Sequence, residues 1–285
     1  MANIAVWKLL ETQNSHYLPS AVNFNHGTTS LNAVSRQLPG GVYTTFRTFE
    51  GNKVLSLSEH IARLEESAAL VGWPVALDPQ ALRTALRAAI ERFPVKEARV
   101  RLTVDLEQQP GIVYIALEPL EIPTEKDYQN GVRTVTVPVQ RENPLAKQTA
   151  FIQAAEGVRS ELPADVNEGL IVDSRGHILE GLSSNFFAVK DDVLKTAGGS
   201  VLQGITRAIV LQAAARASIP LQLESIPVEE IPLLQEAFIT SSSRSVLPVR
   251  AIDIYPVASG KPGPRTRQLM EAYERYIQQT VEELS

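Results

Sequence analysis

The chain has 285 residues, no cysteine, four histidines and eight lysines, and its 27 basic and 32 acidic residues give a formal net charge of −5. Without cysteine there is no disulfide framework, zinc–thiolate site, iron–sulfur cluster or thiol nucleophile, and a mildly acidic balance argues against a sequence-independent nucleic-acid binder. A composition of 44% hydrophobic and 21% charged residues is that of a globular protein, and at roughly 150 residues per domain the length favours two domains.

The opening stretch MANIAVWKLLETQNSHYL has a short apolar run that carries Lys8 and Glu11, which fits neither a secretory signal nor an anchor. No run reaches the about 18 apolar residues of a spanning helix. A cytoplasmic protein with neither membrane nor nucleic-acid partners is therefore expected. VYTTFRTFE (42–50) has strand composition, and Gly51-Asn52 makes a turn before KVLSL. Ser56-Leu57-Ser58-Glu59 fits a capping box, and Leu57, Ile61, Leu64, Ala68 and Val71 follow at helical spacing until Gly72 and Pro74. Asp78-Pro79 starts a second helix with an apolar face of Leu82, Leu86, Ile90 and Phe93. ARVRLTVD and GIVYIALEP read as strands.

Residues 117–131 (LEPLEIPTEKDYQNG) shift to proline and acidic residues without a strong period, which places a boundary between domains 1–122 and 123–285. VRTVTVPV then reads as a strand, 147–160 as a helix, EGLIVD and HILEG as strands around Ser174-Arg175-Gly176, and SNFFAV and VLKTA as two more. A helix starts at Gly204-Ile205-Thr206-Arg207, EAFITS and SVLPVRAID are strands, and the closing helix has Leu269, Tyr273, Tyr276 and Thr280 on one face. Mixed helices and antiparallel-looking hairpins give an α+β class in both halves.

Metal chemistry has no warrant: His16, His26, His60 and His177 never fall at i, i+4, and Glu59 faces away from His60 on a helix. The Gly-x-Ser-x-Gly elbow, the phosphate loop and the dinucleotide fingerprint are all absent. Lys147 lies in NPLAKQTAFI, where a loop enters a largely apolar helix. Partial desolvation there would free its amine for Schiff-base chemistry; an exposed helix-start lysine is the ordinary alternative. Glu180 ends HILE before Gly181 and could meet a protonated heterocyclic nitrogen or simply lie on the surface. Gly204-Ile205-Thr206 opens a helix as an anion site or as a plain cap. Thr240-Ser241-Ser242-Ser243-Arg244 offers hydroxyls and amides after a strand, or a solvated loop. Arg63 lies on the helix side away from Leu57, Ile61 and Leu64, and by itself reads as a solvated arginine beside Glu59 or Glu66.

In this order, SEHIARLEESA, NPLAKQ, ILEGLSSNFF, VLQGITR and FITSSSRSVLPV resemble the class IV (fold-type IV) pyridoxal-phosphate aminotransferases, a family with branched-chain and D-amino-acid aminotransferases, R-selective amine transaminases and aminodeoxychorismate lyases. The resemblance spans about Gly41 to Arg250. It implies a two-domain enzyme with a small N-terminal α/β sandwich and a larger C-terminal domain whose barrel-like sheet is flanked by helices. It also implies a homodimer that moves an amino group from an amino acid or primary amine to a 2-oxo acid. By the same resemblance Arg63, Ile205, Thr206 and Ser242 hold the phosphate of pyridoxal 5'-phosphate, Lys147 forms the Schiff base and relays the Cα proton, and Glu180 pairs with the pyridine nitrogen. Tyr43, Thr45, Arg47 and Ser243 line the substrate side, and Arg244 is a candidate anion grip. Two features depart from the family pattern: FNHGTTSLNAVSRQLPGG (24–41) replaces its usual loop, and no arginine stands near Asp105-Leu106-Glu107, where D-amino-acid aminotransferases grip the substrate carboxylate. Tyr43-Thr44-Thr45 with Arg47 also resembles the lyases, so pyruvate-eliminating lyase chemistry is the alternative. A cofactor-free binder on the same fold would have no use for this residue set.

Overall fold

A computed structural model describes residues 4–11, 17–24 and 28–284. His16, His26 and residues 25–27 of the departing 24–41 segment lie outside the described residues. The chain forms two compact units, one of Met1–Glu121, Ala146–Ala154 and Thr280–Ser285, the other of Ile122–Leu145 and Ala155–Gln279. The passage at 121/122 stands beside the expected boundary, and further passages group the segment that carries Lys147 with the first unit. Among the described residues no helix is long and apolar enough to cross a membrane, and no cluster of His, Asp and Glu could hold a metal.

The first unit contains β1 (Ala5–Glu11), β2 (Tyr17–Ala21), α1 (Leu31–Ser35), β3 (Gly41–Phe49), β4 (Lys53–Val54), α2 (Leu57–Leu70), α3 (Pro79–Glu91), β5 (Ala98–Asp105) and β6 (Val113–Pro119). Its sheet runs in the order β4-β3-β5-β6-β1-β2 with antiparallel neighbours. β5 and β6, both read as strands, bury a face with Val100, Leu102, Val104, Ile115 and Leu117, packed against Ile61 and Leu64 of α2 and Leu82 and Leu86 of α3. Asp78 caps α3 by accepting from Gln80 N and Ala81 N. The capping box expected at Ser56 does not form. Ser56 takes a left-handed φ of 55° and its side chain caps nothing, because the abrupt turn out of β4 sets the backbone first. Two elements escaped the sequence pattern: the β1–β2 hairpin, and α1 within the 24–41 segment, whose start is capped by Ser30.

The second unit contains α4 (Glu125–Asn130), β7 (Val132–Val137), β8 (Val166–Val172), β9 (His177–Gly181), β10 (Asn185–Lys190), β11 (Val193–Lys195), α6 (Ile205–Arg216), β12 (Leu221–Gln222), β13 (Ile226–Pro227), a 3-10 turn (Val228–Leu233), β14 (Glu236–Ser241), β15 (Ser245–Ile252), β16 (Tyr255–Pro256) and α7 (Pro264–Thr280); α5 (Ala150–Ser160) follows the lysine segment. The path β10-β14-β15-β7-β8-β9 closes on itself through a β9–β10 pairing, giving a six-stranded barrel-like sheet, with Phe186, Ile239, Leu247, Val249 and Leu170 in its core. Residues 117–131 hide α4, which carries a complete capping box of Thr124 and Asp127. The buried stripe of α7 is Thr266, Leu269, Tyr273 and Ile277, a correction to the expected face, since Thr280 is exposed. Glu236 on β14 caps α7 from outside by accepting from Arg265 N (3.0 Å) and Thr266 N (2.6 Å).

After α7 the chain returns to the first unit. Glu282 and Glu283 pair with β4, Arg83 of α3 donates to the Glu282 carboxylate and the Glu283 carbonyl, and Leu284, 1% exposed, enters the core of α2 and α3. Leu284→Ala is expected to destabilise the protein by about 2–5 kcal/mol through lost burial and a residual cavity, measured as a lower urea midpoint with unchanged slope. An unchanged midpoint would show that this residue adds nothing.

Candidate active site

The first unit assembles Lys147, Arg63, Tyr43 and Thr45. Lys147 is placed by its backbone. Tyr43 N donates to Lys147 O (2.9 Å), Thr149 N to Gly41 O (2.9 Å), and Lys147 N to Ser67 Oγ of α2 (3.2 Å). The segment thus lies as a short antiparallel bridge, Val42 opposite Gln148, along the start of β3. Gly41 permits this: a Cβ there would stand 1.9 Å from Val104 O of β5. The Lys147 Nζ lies 4.7 Å from the centroid of the Tyr43 ring, close enough for a cation–π contact.

Arg63 is buried, against the solvated reading. Alternation along β3 turns Thr44 toward α2, and there Arg63 Nη2 donates to Thr44 Oγ1 (2.7 Å). Because a guanidinium only donates, the Thr44 hydroxyl proton goes to His60 Nδ1, 2.6 Å away. Burial, then the charges of Arg63 and Lys147, hold His60 well below the usual histidine range, so it is a neutral acceptor. Burial, opposed by Tyr43 and Glu66, pushes Arg63 down to about 10; it stays cationic at neutral pH. Its Nε is buried without a partner. Arg47, placed on the substrate side by the resemblance, is paired with Glu97 and stacked over Phe49.

The second unit centres on two buried carboxylates. Glu180, at the end of β9, accepts from Arg141 Nη1 (2.6 Å) on one oxygen and from Asn185 Nδ2 (3.3 Å) and Leu202 N (3.2 Å) on the other. Asn185 also donates to Leu202 O (2.8 Å). Its side chain packs so tightly on Gly204 that a Cβ there would stand 2.2 Å from Asn185 Oδ1, and this ties Glu180 to the start of α6. Gly204 supplies no side-chain cap, so the first amides of α6, at Ile205 and Thr206, have no side-chain acceptor from it. Neither Arg141 nor Asn185 was singled out in the sequence. Asn185 sits within ILEGLSSNFF, which could have drawn attention to it; a lone arginine in a loop carries no such signal.

Ser242, Ser243 and Arg244 form the turn between β14 and β15, and just before it the Thr240 hydroxyl is buried without a partner. Arg244, the candidate anion grip, has side-chain partners in the structure. Its Nη2 donates to Glu168 (2.6 Å) and Ser183 Oγ (3.0 Å), and its Nη1 to Asn167 (3.0 Å). Glu168, fully buried on β8, also accepts from Ser183 and Ser184 and faces Arg159 at 3.5 Å. The turn after Glu180 is thereby tied to the turn after β14.

Burial alone would raise the Glu168 carboxyl, but the charges of Arg244 and Arg159 and the bonds from Arg244 and Ser183 leave it below the usual carboxylate range. A carboxyl depressed in the folded state adds stability above its unfolded pKa, and that stability is lost as pH falls through the folded value. Glu168→Gln is therefore expected to cost about 3–5 kcal/mol at neutral pH by leaving Arg244 unpaired. The gap to the parent protein should narrow below the carboxylate range, in urea midpoints measured from pH 7 to pH 3. A gap that stays constant would contradict the assignment.

A family model for class IV aminotransferases matches residues 41–252. The chain is 30% identical over 248 residues, 85% of its length and 88% of the relative's, to a "Probable branched-chain-amino-acid aminotransferase" of Thermotoga maritima. It is 29% identical over 265 residues, 85% and 89% of the two lengths, to the D-alanine aminotransferase of Bacillus licheniformis. A crystal structure of a Thermotoga maritima protein assigned as a branched-chain amino acid aminotransferase superposes with TM-score 0.77 at 27% identity, covering 97% of this chain and 96% of that one. A second crystal structure, the T.th. branched-chain amino acid aminotransferase with pyridoxamine 5'-phosphate, gives the same TM-score of 0.77 at 22% identity, covering 99% and 98%, and shares the fold.

Proposed function

This chain belongs to the class IV aminotransferase family, and from that premise we propose how its residues divide the work of amino-group transfer. It is a transaminase, moving an amino group from a small-molecule donor to a 2-oxo acid in a ping-pong cycle. The relatives named above are aminotransferases, so elimination by a lyase is not favoured.

Pyridoxal 5'-phosphate, when bound, supplies the electron sink for the charge left on breaking the donor's Cα–H bond. The residues present fit that group. In the first unit Arg63 offers a buried cation with an unpartnered Nε; in the second, Thr240 offers a buried hydroxyl without a partner and α6 an uncapped start; each by itself suits a phosphate oxygen. Arg63, the amides of Ile205 and Thr206, and Ser242 would hold it. Glu180 would hold a proton on the ring nitrogen, with Arg141 and Asn185 fixing its orientation. Lys147 would hold the cofactor and, as a neutral amine, would take the Cα proton on Nζ. Tyr43, Thr45 and Ser243 line the substrate side. Arg244 acts through Glu168 to position its turn, and Arg47, on β3, is paired with Glu97.

The observation that carries this reading is the docking of Lys147 along β3, which holds one amine at a fixed place beside an aromatic ring. We further propose L-branched-chain donors over D-amino acids: the amides of Glu107, Gln108 and Gln109 are occupied by Asp105, and that loop has no arginine to grip a carboxylate. Purified protein is expected to show the absorbance of bound cofactor, to transfer from L-leucine or L-valine faster than from D-alanine, and to sediment as a homodimer of the 31.2 kDa chain. Lys147→Ala should abolish that absorbance and slow transfer by about 10²–10⁴-fold or more. Undiminished transfer in Lys147→Ala would overturn the lysine assignment; faster D-alanine turnover would overturn the donor assignment.

A further inference from the structure

The Tyr43 ring has a second cation beside it. Arg101 Cζ lies 4.8 Å from the ring centroid, against 4.7 Å for Lys147 Nζ. Arg101 stands opposite Thr45 across the β3–β5 ladder, on the face that also carries Tyr43, because side chains two apart on a strand share a face. It is 4% exposed, and several oxygens of α1 and β3 help to hold it. Nη1 donates to Leu31 O (3.0 Å) and Ser35 Oγ (2.7 Å), Nη2 to Asn32 Oδ1 (3.0 Å), and Nε to Thr45 Oγ1 (3.2 Å). Arg101 is therefore both the clasp that fixes α1 and a positive charge locked at one place beside the ring. Lys147 is tied to Tyr43 twice, through the backbone bond from Tyr43 N and through the ring.

The two cations act on the lysine in opposite senses. An aromatic face attracts an ammonium and not a neutral amine, so the ring favours protonated Nζ. A fixed guanidinium at the same ring repels that ammonium and favours the amine. Among the described residues, α2 contributes Arg63, whose charge also favours the amine, and His60, held neutral by burial and by the charges of Arg63 and Lys147. From β3 comes the Tyr43 phenol and from β5 Arg101.

We propose that Tyr43 and Arg101 are positioning residues that form a seat for Lys147, the ring holding the ammonium and the guanidinium limiting that hold, so that the lysine can pass between its charged and neutral forms. The seat gains its catalytic meaning from the lysine role proposed above, yet its effect on Lys147 is measurable without any turnover.

The test is competitive acetylation of the full-length, cofactor-stripped chain with acetic anhydride across pH, with the Lys147 peptide followed by mass spectrometry. Tyr43→Leu is expected to lower the Lys147 titration midpoint by about half to one pH unit, and Tyr43→Phe, which keeps the ring, to leave it in place. Arg101→Met should raise the midpoint by a similar amount, and Arg101→Lys should restore it. Because Arg101→Met also releases α1, the double variant Asn32→Ala, Ser35→Ala removes two clasp contacts while keeping the charge, and its midpoint should stay at the parent value. The acid limb of the transfer rate in the holoenzyme should follow the same order. Equal midpoints in Tyr43→Leu and Tyr43→Phe, a shift of the same sign in Tyr43→Leu and Arg101→Met, or a shift in the double variant equal to that of Arg101→Met would each overturn the seat. Ordered shifts in a protein that neither binds the cofactor nor transfers amino groups would keep the seat and remove the proposed function.

Discussion

The placement of one flexible side chain depends on a few backbone hydrogen bonds. A lysine has four rotatable methylenes and would spread its amine over a wide volume if only its helix held it. Here the residue and its neighbours at 148 and 149 lie along the start of β3, with Tyr43 N, Thr149 N and Ser67 Oγ completing the docking. The close approach of β3 to β5 at Gly41 makes that edge available, since any side chain there would collide with the Val104 carbonyl. The partly buried sheet edge thus fixes the segment that carries Lys147, which also satisfies backbone groups that would otherwise be left unpaired.

Charge is distributed with the same economy in both units. In the first, Arg63 is stripped of water yet stays cationic, and the neighbouring histidine is kept neutral, so the Thr44 hydroxyl can run its hydrogen bond in one direction only. In the second, two buried carboxylates each have an arginine: Arg141 for Glu180 and Arg244 for Glu168. Breaking either pair would leave an uncompensated buried charge, which is costly in a low-dielectric interior. These pairs also order backbone. Glu168 gathers the turns that follow β9 and β14, and Asn185 couples Glu180 to the first turn of α6. The ends of β9 and β14 and the start of α6 are therefore mechanically linked through side chains of the second unit.

Much of this was legible in the sequence where the signal is local. Val100, Leu102 and Val104 alternate because one face of β5 meets a core, and Asp78-Pro79 starts α3 because a carboxylate and a fixed φ suit a helix start. Local rules failed where a tertiary constraint outranked them. Ser56 has the capping-box spacing but is forced into a left-handed turn, whereas the true box at Thr124 uses Asp127 in place of glutamate within a proline-flanked segment. Arg244 read as a free grip because its partner Glu168 is 76 residues away; no spacing rule reaches that far. Arg141 and Arg101 were invisible for the same reason, since a single arginine acquires its meaning only from the groups the fold brings to it.

The central claim is that Lys147, and no other lysine of the eight, is the amine that the fold presents for covalent chemistry. Borohydride reduction of the purified holoenzyme, followed by peptide mapping, tests it directly. The account predicts a single phosphopyridoxyl adduct, on the peptide that contains Lys147, and none after Lys147→Ala. An adduct on any other lysine, or a reduced protein with no adduct at all, would contradict it.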